Sequence, residues 1–222
     1  MGTLDGPGVR AVVFASGCPL RCIYCHNPDT WERSGGEPVD AKELAERIIR
    51  LYPYIKRGGV TFSGGEPCVQ AEFFSELARL LKQGGLHIAL DTSGAILNGA
   101  TLELLGLVDL VLLDVKFTSE DDYLRYTGGT LSATLEFLSV LEERKLPTWI
   151  RHVVVPGIND TDGDIRRLGE LLSPYSCIEK IELLPFRKLC LEKYGALGIP
   201  FPLRDTPEMN EARLSELEKA LK

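Results

Sequence analysis

The chain has 222 residues and carries 25 Lys and Arg against 32 Asp and Glu, a net charge of -7. That length suits one large domain over residues 1–222 with a sizeable core, and 44% apolar residues exclude a disordered chain. The acidic balance argues against a basic nucleic-acid face, and no apolar run approaches the ~20 residues that span a bilayer.

The longest apolar candidate, 104–115, is interrupted by Asp109 and Asp114. The opening residues lack the basic-then-apolar pattern of a secretory leader. Six cysteines, three of them in one short motif, point to a reducing compartment, so a cytoplasmic protein acting as a monomer is expected.

Asp5-Gly-Pro-Gly8 reads as a turn. Residues 9–15 are apolar apart from Arg10 and read as a buried strand running into the cysteine segment. Asp40 with Glu43 resembles a capping box, and Leu44, Ile48, Leu51 and Ile55 give the following helix an apolar stripe. A second strand over 59–63 ends at Gly64-Gly65-Glu66. Phe73, Leu77, Leu80 and Leu81 mark a helix closed by Gly84-Gly85.

Strands over 87–91 and 110–116 flank a short helix at 101–105. Helices are expected at 119–126 and 131–144, then a strand at 149–155, a helix at 161–172, a strand at 178–184 and a helix at 208–221. Six alternations of strand and helix mean βαβ units with parallel strands. Right-handed crossovers coil them into an α/β fold, an open partial (β/α)6 barrel. In such folds chemistry gathers at the carboxyl ends of the strands. There the sequence puts the cysteines, Gly64, Gly65 and Glu66, Asp91, and Asp114 with Lys116 at a same-face spacing. Arg151 lies inside the fifth strand. Charges in an apolar strand are costly unless paired or useful, and a buried structural ion pair is the alternative to a functional role for Asp114 and Lys116.

Cys18, Cys22 and Cys25 stand at a C-x3-C-x2-C spacing. Thiolates suit zinc or iron–sulfur clusters. Structural zinc sites use four ligands, whereas the other cysteines, Cys68, Cys177 and Cys190, are scattered singly. Three thiolates suit a [4Fe–4S] cluster with one iron left for a small chelating ligand. A redox or zinc pair, or simply buried thiols, are alternative readings of the same spacing. Gly64 and Gly65 bring bare backbone to a strand end. Tyr24 reads equally as an adenine-stacking ring or as packing, and His26 as a hydrogen-bonding neighbour of the site. His87 and His152 read as packed strand residues.

Taken together, Leu4-Asp-Gly-Pro-Gly-Val-Arg10, Cys18 to Trp31, Ser63-Gly-Gly-Glu-Pro67, Asp91-Thr-Ser-Gly94, Leu113-Asp-Val-Lys116, Trp149 to Gly157, Ile181 to Phe186 and Lys193 to Gly198 resemble one family. It is the glycyl-radical-enzyme activases of the radical S-adenosylmethionine (SAM) superfamily, in their pyruvate formate-lyase branch, and the likeness runs along essentially the whole chain. The resemblance implies a radical-SAM type barrel and a [4Fe–4S] cluster on Cys18, Cys22 and Cys25, with SAM chelating the fourth iron. It implies a SAM site of Tyr24, Gly64, Gly65, Glu66, Lys116, Arg151 and Arg187, with Arg187 where the family has histidine. It implies a monovalent-cation site at Asp91, Thr92 and Asp114. Asp5 and His26 would lie near the glycine loop of the partner, pyruvate formate-lyase, with Lys116 a third catalytic candidate. Flavodoxin would donate the electron, and the setting would be anaerobic glucose metabolism. The family's strand before the Asp-Gly-Pro-Gly turn is not seen in this sequence. An activase of another glycyl-radical lyase or of anaerobic ribonucleotide reductase, and a non-enzymatic iron–sulfur or zinc protein, remain the alternatives.

Overall fold

The structure is a computed structural model and describes residue 2 and residues 4–221. Six strands form one sheet in the order of the chain: β1 (Arg10–Ala15), β2 (Gly59–Gly64), β3 (Ile88–Thr92), β4 (Leu110–Asp114), β5 (Thr148–Val154) and β6 (Ile178–Pro185). Every neighbouring pair is parallel. The sheet is open: β1 and β6 are its two edges and do not pair with each other. This is the expected α/β architecture of consecutive βα units.

Helices fill the crossovers, α1 (Ala41–Ile49), α2 (Tyr52–Ile55), α3 (Ala71–Gln83), α4 (Gly99–Leu105), α5 (Glu120–Thr127), α6 (Leu131–Glu143) and α7 (Asp162–Leu172), and two more follow β6, α8 (Leu191–Leu197) and α9 (Glu211–Ala220). Side-chain oxygens cap their amino ends where the sequence supplies them: Asp40, Asn98, Ser119, Thr130, Thr161 and Asn210 each accept from backbone amides of the first turn. The capping box that forms is Thr161 with Asp164. The central strands are apolar on both faces, with Val111, Leu112 and Leu113 fully buried, as helices covering a parallel sheet require.

The structure differs from the sequence expectations at several boundaries. The first helix does not run on to Ile55. It stops at Ile49 and restarts as α2, because Pro53 has no amide hydrogen and its ring collides with the preceding turn. The last helix begins at Glu211 rather than Glu208, since Asn210 caps it and the Glu208 carboxylate is drawn away to the Lys188 amide. The fourth strand ends at Asp114, leaving Lys116 just beyond it. His87 precedes the third strand rather than lying in it. Helix α8 was not anticipated.

The amino ends of the first three strands are stoppered by Arg10. This residue is fully buried, and its guanidinium donates to the carbonyls of Gly58 and Val60 (2.6 Å for the latter) and to Thr61 Oγ1 at 2.7 Å. Burial lowers its pKa to about 10, against the pull of Asp109 and Asp5. Above it Ala89, Leu110 and Leu112, with Trp149 against them, form a small apolar cluster separate from the main core. Open space begins at the other end, past the strand carboxyl ends.

Candidate active site

A cavity of about 310 Å³ opens at the carboxyl ends of the strands. Cys18, Cys22, Cys25, Tyr24 and His26 reach it from the loop after β1, Gly64 and Gly65 from β2, Asp91 and Thr92 from β3, Asp114 and Lys116 from β4, and Arg151 from β5. Asp5 also lines it. One space therefore brings together residues as far apart as Asp5 and Pro185, because each βα unit delivers its carboxyl end to the same rim.

The cysteine loop is held by backbone. Gly65 N donates to Ala15 O at 2.9 Å and Glu66 N to Gly17 O at 2.8 Å. Gly64 adopts φ +108°, and a Cβ on it would stand 2.4 Å from Ala15 N; one on Gly65 would stand 2.5 Å from Gly17 O. The paired glycines thus let β2 press against the loop that carries the thiols. On the far side the loop is tied to the carboxyl-terminal region. His26 Nε2 lies 2.8 Å from the Arg187 carbonyl, Lys193 Nζ lies 2.8 Å from Asn27 Oδ1 and 2.9 Å from Asp29, and Trp31 meets Tyr194 edge-on. Helix α8 is what supplies Lys193 and Tyr194.

Four charged side chains line the cavity floor. Arg151 bridges Asp91 and Asp114, reaching the latter at 3.0 Å, and Lys116 Nζ reaches Asp114 at 3.0 Å. Ser63 Oγ donates to Asp91 at 2.6 Å. Burial raises the Asp91 pKa to about 6, outweighing the pull of Arg151. For Asp114 burial works in the same sense, but Arg151 and Lys116 together win and hold its pKa below the usual range. Burial opposes the charge of Lys116 as well, yet Asp114 and Cys22 keep its pKa well above normal. Buried ion pairs are weak contributors to stability against an apolar replacement. A network of them on a cavity floor therefore points to ligand binding.

All six cysteines are free thiols. Burial pushes Cys22 up to about 12, and Lys116 is the largest influence pulling it back. The same burial raises Cys18. Such thiols ionise readily only with a cation or metal beside them. Among the described residues no group of three His, Cys, Asp or Glu is arranged to hold a single metal ion. The three cysteines instead line a wider cavity, as a multi-iron cluster bound at separate corners requires. Tyr24 also lines the cavity, while its Oη is buried without a hydrogen-bond partner, a costly arrangement in a folded chain. The donor set therefore fits a [4Fe–4S] cluster with SAM.

Three sequence-derived candidates sit differently from the rest. The Glu66 side chain is fully buried and does not line the cavity: its carboxylate accepts from Cys68 N (3.1 Å), Thr92 Oγ1 (2.7 Å), Ser93 N (2.9 Å) and Ser93 Oγ (2.5 Å). The Arg187 guanidinium turns to α9, donating to Met209 O and Glu211 at 2.6 Å each. The oxygens of Asp91, Thr92 and Asp114, the trio suggested for a monovalent cation, already have partners in Arg151, Lys116, Ser63 and Glu66. Residues that sequence reasoning missed are Ser63, Ser93 and Phe14 on the cavity wall, and the buried pair His152 and Asn159. His152 Nδ1 donates to Val115 O at 2.6 Å, and Asn159 Nδ2 lies 3.1 Å from Nε2. This pair fixes the backbone between Asp114 and Lys116.

Residues 12–169 match the Radical SAM superfamily. The chain is 44% identical to a pyruvate formate-lyase-activating enzyme of Clostridium pasteurianum, over all of this chain and 94% of that one. It is 40% identical to the enzyme of the same name from Staphylococcus epidermidis, over 97% of this chain and 90% of that one. Among solved structures it resembles a domain of pyruvate-formate lyase-activating enzyme from Bacteroides vulgatus, with TM-score 0.61 and 24% identity over 74% of this chain and 92% of that one. It also resembles Streptococcus suis SuiB, solved with its precursor peptide SuiA, with TM-score 0.73 and 16% identity over 96% of this chain and 45% of that one. An open six-stranded parallel barrel, three free thiols on one loop at its mouth and full-length relatives of one kind agree: the chain is an enzyme of the radical SAM superfamily and belongs to the pyruvate formate-lyase-activating enzyme family.

Proposed function

We propose that this enzyme activates pyruvate formate-lyase by placing a radical on one of its backbone glycines. The observation that carries the reading is the cavity in which Cys18, Cys22, Cys25, Lys116 and Arg151 meet, in a chain that matches activating enzymes end to end. When bound, a [4Fe–4S] cluster and SAM supply a one-electron cleavage whose 5′-deoxyadenosyl radical takes a hydrogen atom from glycine.

The chain's own residues have separable tasks. Cys18, Cys22 and Cys25 hold the cluster, and the Lys116 ammonium favours the thiolate state of Cys22. Lys116 and Arg151 supply positive charge for the carboxylate of SAM, Tyr24 a ring at the wall, and Gly64 and Gly65 a bare backbone edge. Asp91 and Asp114, with Thr92, are the candidate ligands of a monovalent cation, which would displace Arg151 from between them. Glu66 contributes by bracing Thr92 and Ser93, and Arg187 by offering its carbonyl to His26. Asp5 and His26 stand at the rim where the glycine segment arrives. Flavodoxin as donor, a monomeric state and a cytoplasmic role in anaerobic glucose metabolism complete the reading. They rest on the likeness to the family, and among the described residues no helix is long and apolar enough to cross a membrane.

The test is anaerobic reconstitution with SAM, a reductant and pyruvate formate-lyase. A doublet glycyl-radical signal by electron paramagnetic resonance is expected. It should depend on SAM and vanish with a Gly→Ala partner or with Cys18→Ala, Cys22→Ala or Cys25→Ala. SAM cleavage without a glycyl signal would assign the site to another substrate.

A further inference from the structure

We propose that helix α5 is a bracket that fixes Lys116 relative to the cysteine loop, with the Tyr123 hydroxyl as the positioning group for Lys116 and Thr134 holding that hydroxyl in place. The inference rests on the reading of Lys116 as a partner of SAM's carboxylate. It adds two residues that do not line the cavity to the apparatus that binds SAM.

Strand pairing holds β4 to β5 as far as Asp114, which stands in register with Arg151, and Val115 N still donates to Arg151 O at 3.0 Å. Lys116 is the first residue past that ladder, so its amide has no strand to bond. A backbone amide shut away from water needs an acceptor, and Tyr123 Oη supplies it at 3.3 Å. Tyr123 lies within α5 and is buried.

The direction of the hydroxyl chain follows from counting protons. Thr134 Oγ1 lies 3.1 Å from Ser93 O, where only the threonine can donate, and 2.8 Å from Tyr123 Oη. Each hydroxyl has one hydrogen. With the Thr134 hydrogen on Ser93 O, the Tyr123 hydrogen goes to Thr134, and the tyrosine lone pairs are left for Lys116 N. The reverse arrangement has Tyr123 donating to Asp114 O over a longer 3.4 Å and leaves the bond to Ser93 O unmade. The chain therefore runs from Lys116 N through Tyr123 and Thr134 to Ser93 O. It ties the segments after β3 and β4 to α5 and α6, and Thr134 is fully buried, so solvent does not compete.

The carboxyl end of the same helix carries the thiols. Tyr126 and Thr127 stand in the last turn of α5, where carbonyls have no partner within the helix. Their carbonyls accept from Ile23 N at 3.0 Å and Arg21 N at 2.8 Å, the two residues that flank Cys22. The Thr127 hydroxyl returns to Tyr123 O at 2.6 Å and closes the turn between the two attachment points. One turn of helix thus separates the support of Cys22 from the support of Lys116. Its closed backbone bonds make that turn stiff. SAM, chelating a cluster on the cysteines and meeting Lys116 with its carboxylate, spans both supports. An error in their spacing is felt by a ligand that spans it and not by one that does not.

The experiment measures binding to the anaerobically reconstituted holoenzyme by calorimetry, with two probes. One is SAM. The other is 5′-methylthioadenosine, which keeps the adenine, ribose and sulfur but has no carboxylate to meet Lys116. Tyr123→Phe deletes only the hydroxyl. It should weaken SAM about three- to tenfold, the loss of one neutral hydrogen bond, and leave iron content and 5′-methylthioadenosine affinity as in the native enzyme. Thr134→Val, one bond further out, should act in the same direction, and Thr134→Ser should restore the native SAM affinity. Unchanged SAM affinity in either Tyr123→Phe or Thr134→Val overturns the bracket. An equal loss for both probes also overturns it, since a general fold defect weakens both. If Tyr123→Phe loads no cluster, the Thr134 pair decides: a loss in Thr134→Val that serine does not restore overturns the bracket. Lys116→Ala separates the two levels. Weaker SAM binding in Lys116→Ala with none in Tyr123→Phe removes the bracket and leaves the lysine at the SAM site; native SAM affinity in Lys116→Ala removes the lysine's role and the bracket with it.

Discussion

Glu66 stands where β2 meets the thiol-bearing loop, its backbone amide donating to Gly17 O at 2.8 Å. Its position after Gly64 and Gly65 suggests a ligand group, but its carboxylate is buried and accepts four hydrogen bonds from Cys68, Thr92 and Ser93. It ties the end of β2 to the end of β3, and so holds Asp91 and Thr92 on the rim. Removing an acceptor of this kind leaves several donors buried without partners, each costing ~1–3 kcal/mol. Glu66→Ala is therefore expected to lose at least ~3 kcal/mol of stability by urea unfolding of the cluster-free protein. A variant that unfolds like the native chain but binds SAM poorly would return Glu66 to the ligand side of the cavity. The alternation of residue types in sequence tells which face a residue takes; it does not tell which of two adjacent partners the side chain will choose. The same limit applies to Arg187. Its place after Pro185-Phe186 is legible, but its rotation onto Met209 and Glu211 depends on where α9 lands.

At the level of elements, most of the fold was legible because the strands and helices differ so clearly in period and punctuation. Strands β2, β3 and β4 are short apolar runs bounded by glycine or aspartate, and the helices carry apolar stripes behind capping side chains. What escaped was governed by packing. Helix α8 is only seven residues long and contains Gly195, so nothing local demands it; it forms where Tyr194 can pack against Trp31 and Phe201. The end of β4 is a second case. Val115 lies beyond the strand, yet its carbonyl is caught by His152 of β5, which Asn159 orients in turn. That arrangement needs a neutral imidazole with its proton on Nδ1, and burial lowers the His152 pKa accordingly. The unfolded chain then binds a proton at His152 more readily than the folded one, so stability falls as pH drops below about 6.5 toward the folded pKa. His152 alone sets a slope of at most about 1.4 kcal/mol per pH unit in that window; half-exposed His87, lowered by burial and by Arg10, adds less. Urea unfolding of the cluster-free protein between pH 7 and 5 should show this loss, and His152→Gln should flatten it. An equally steep acid limb in the variant would assign the slope to carboxylates instead.

The molecule as a whole is a wound sheet with one end stoppered and the other end and one side open. Arg10 closes the amino ends of β1 to β3 with its hydrogen bonds to Gly58, Val60 and Thr61. Traffic to the cavity then runs through the open end and side, shared by a small nucleoside and a polypeptide. Sharing imposes a queue. The smaller guest must be seated first, since a polypeptide lying across the opening bars its way. Mixing order should therefore matter. When SAM is added to enzyme already incubated with saturating partner, product should appear after a lag set by partner dissociation, and when SAM precedes the partner the lag should be absent. Identical time courses in rapid-mixing experiments would mean a back entrance. The buried arginine at one end of the barrel, far from any reacting atom, would thus decide the timetable of events at the other.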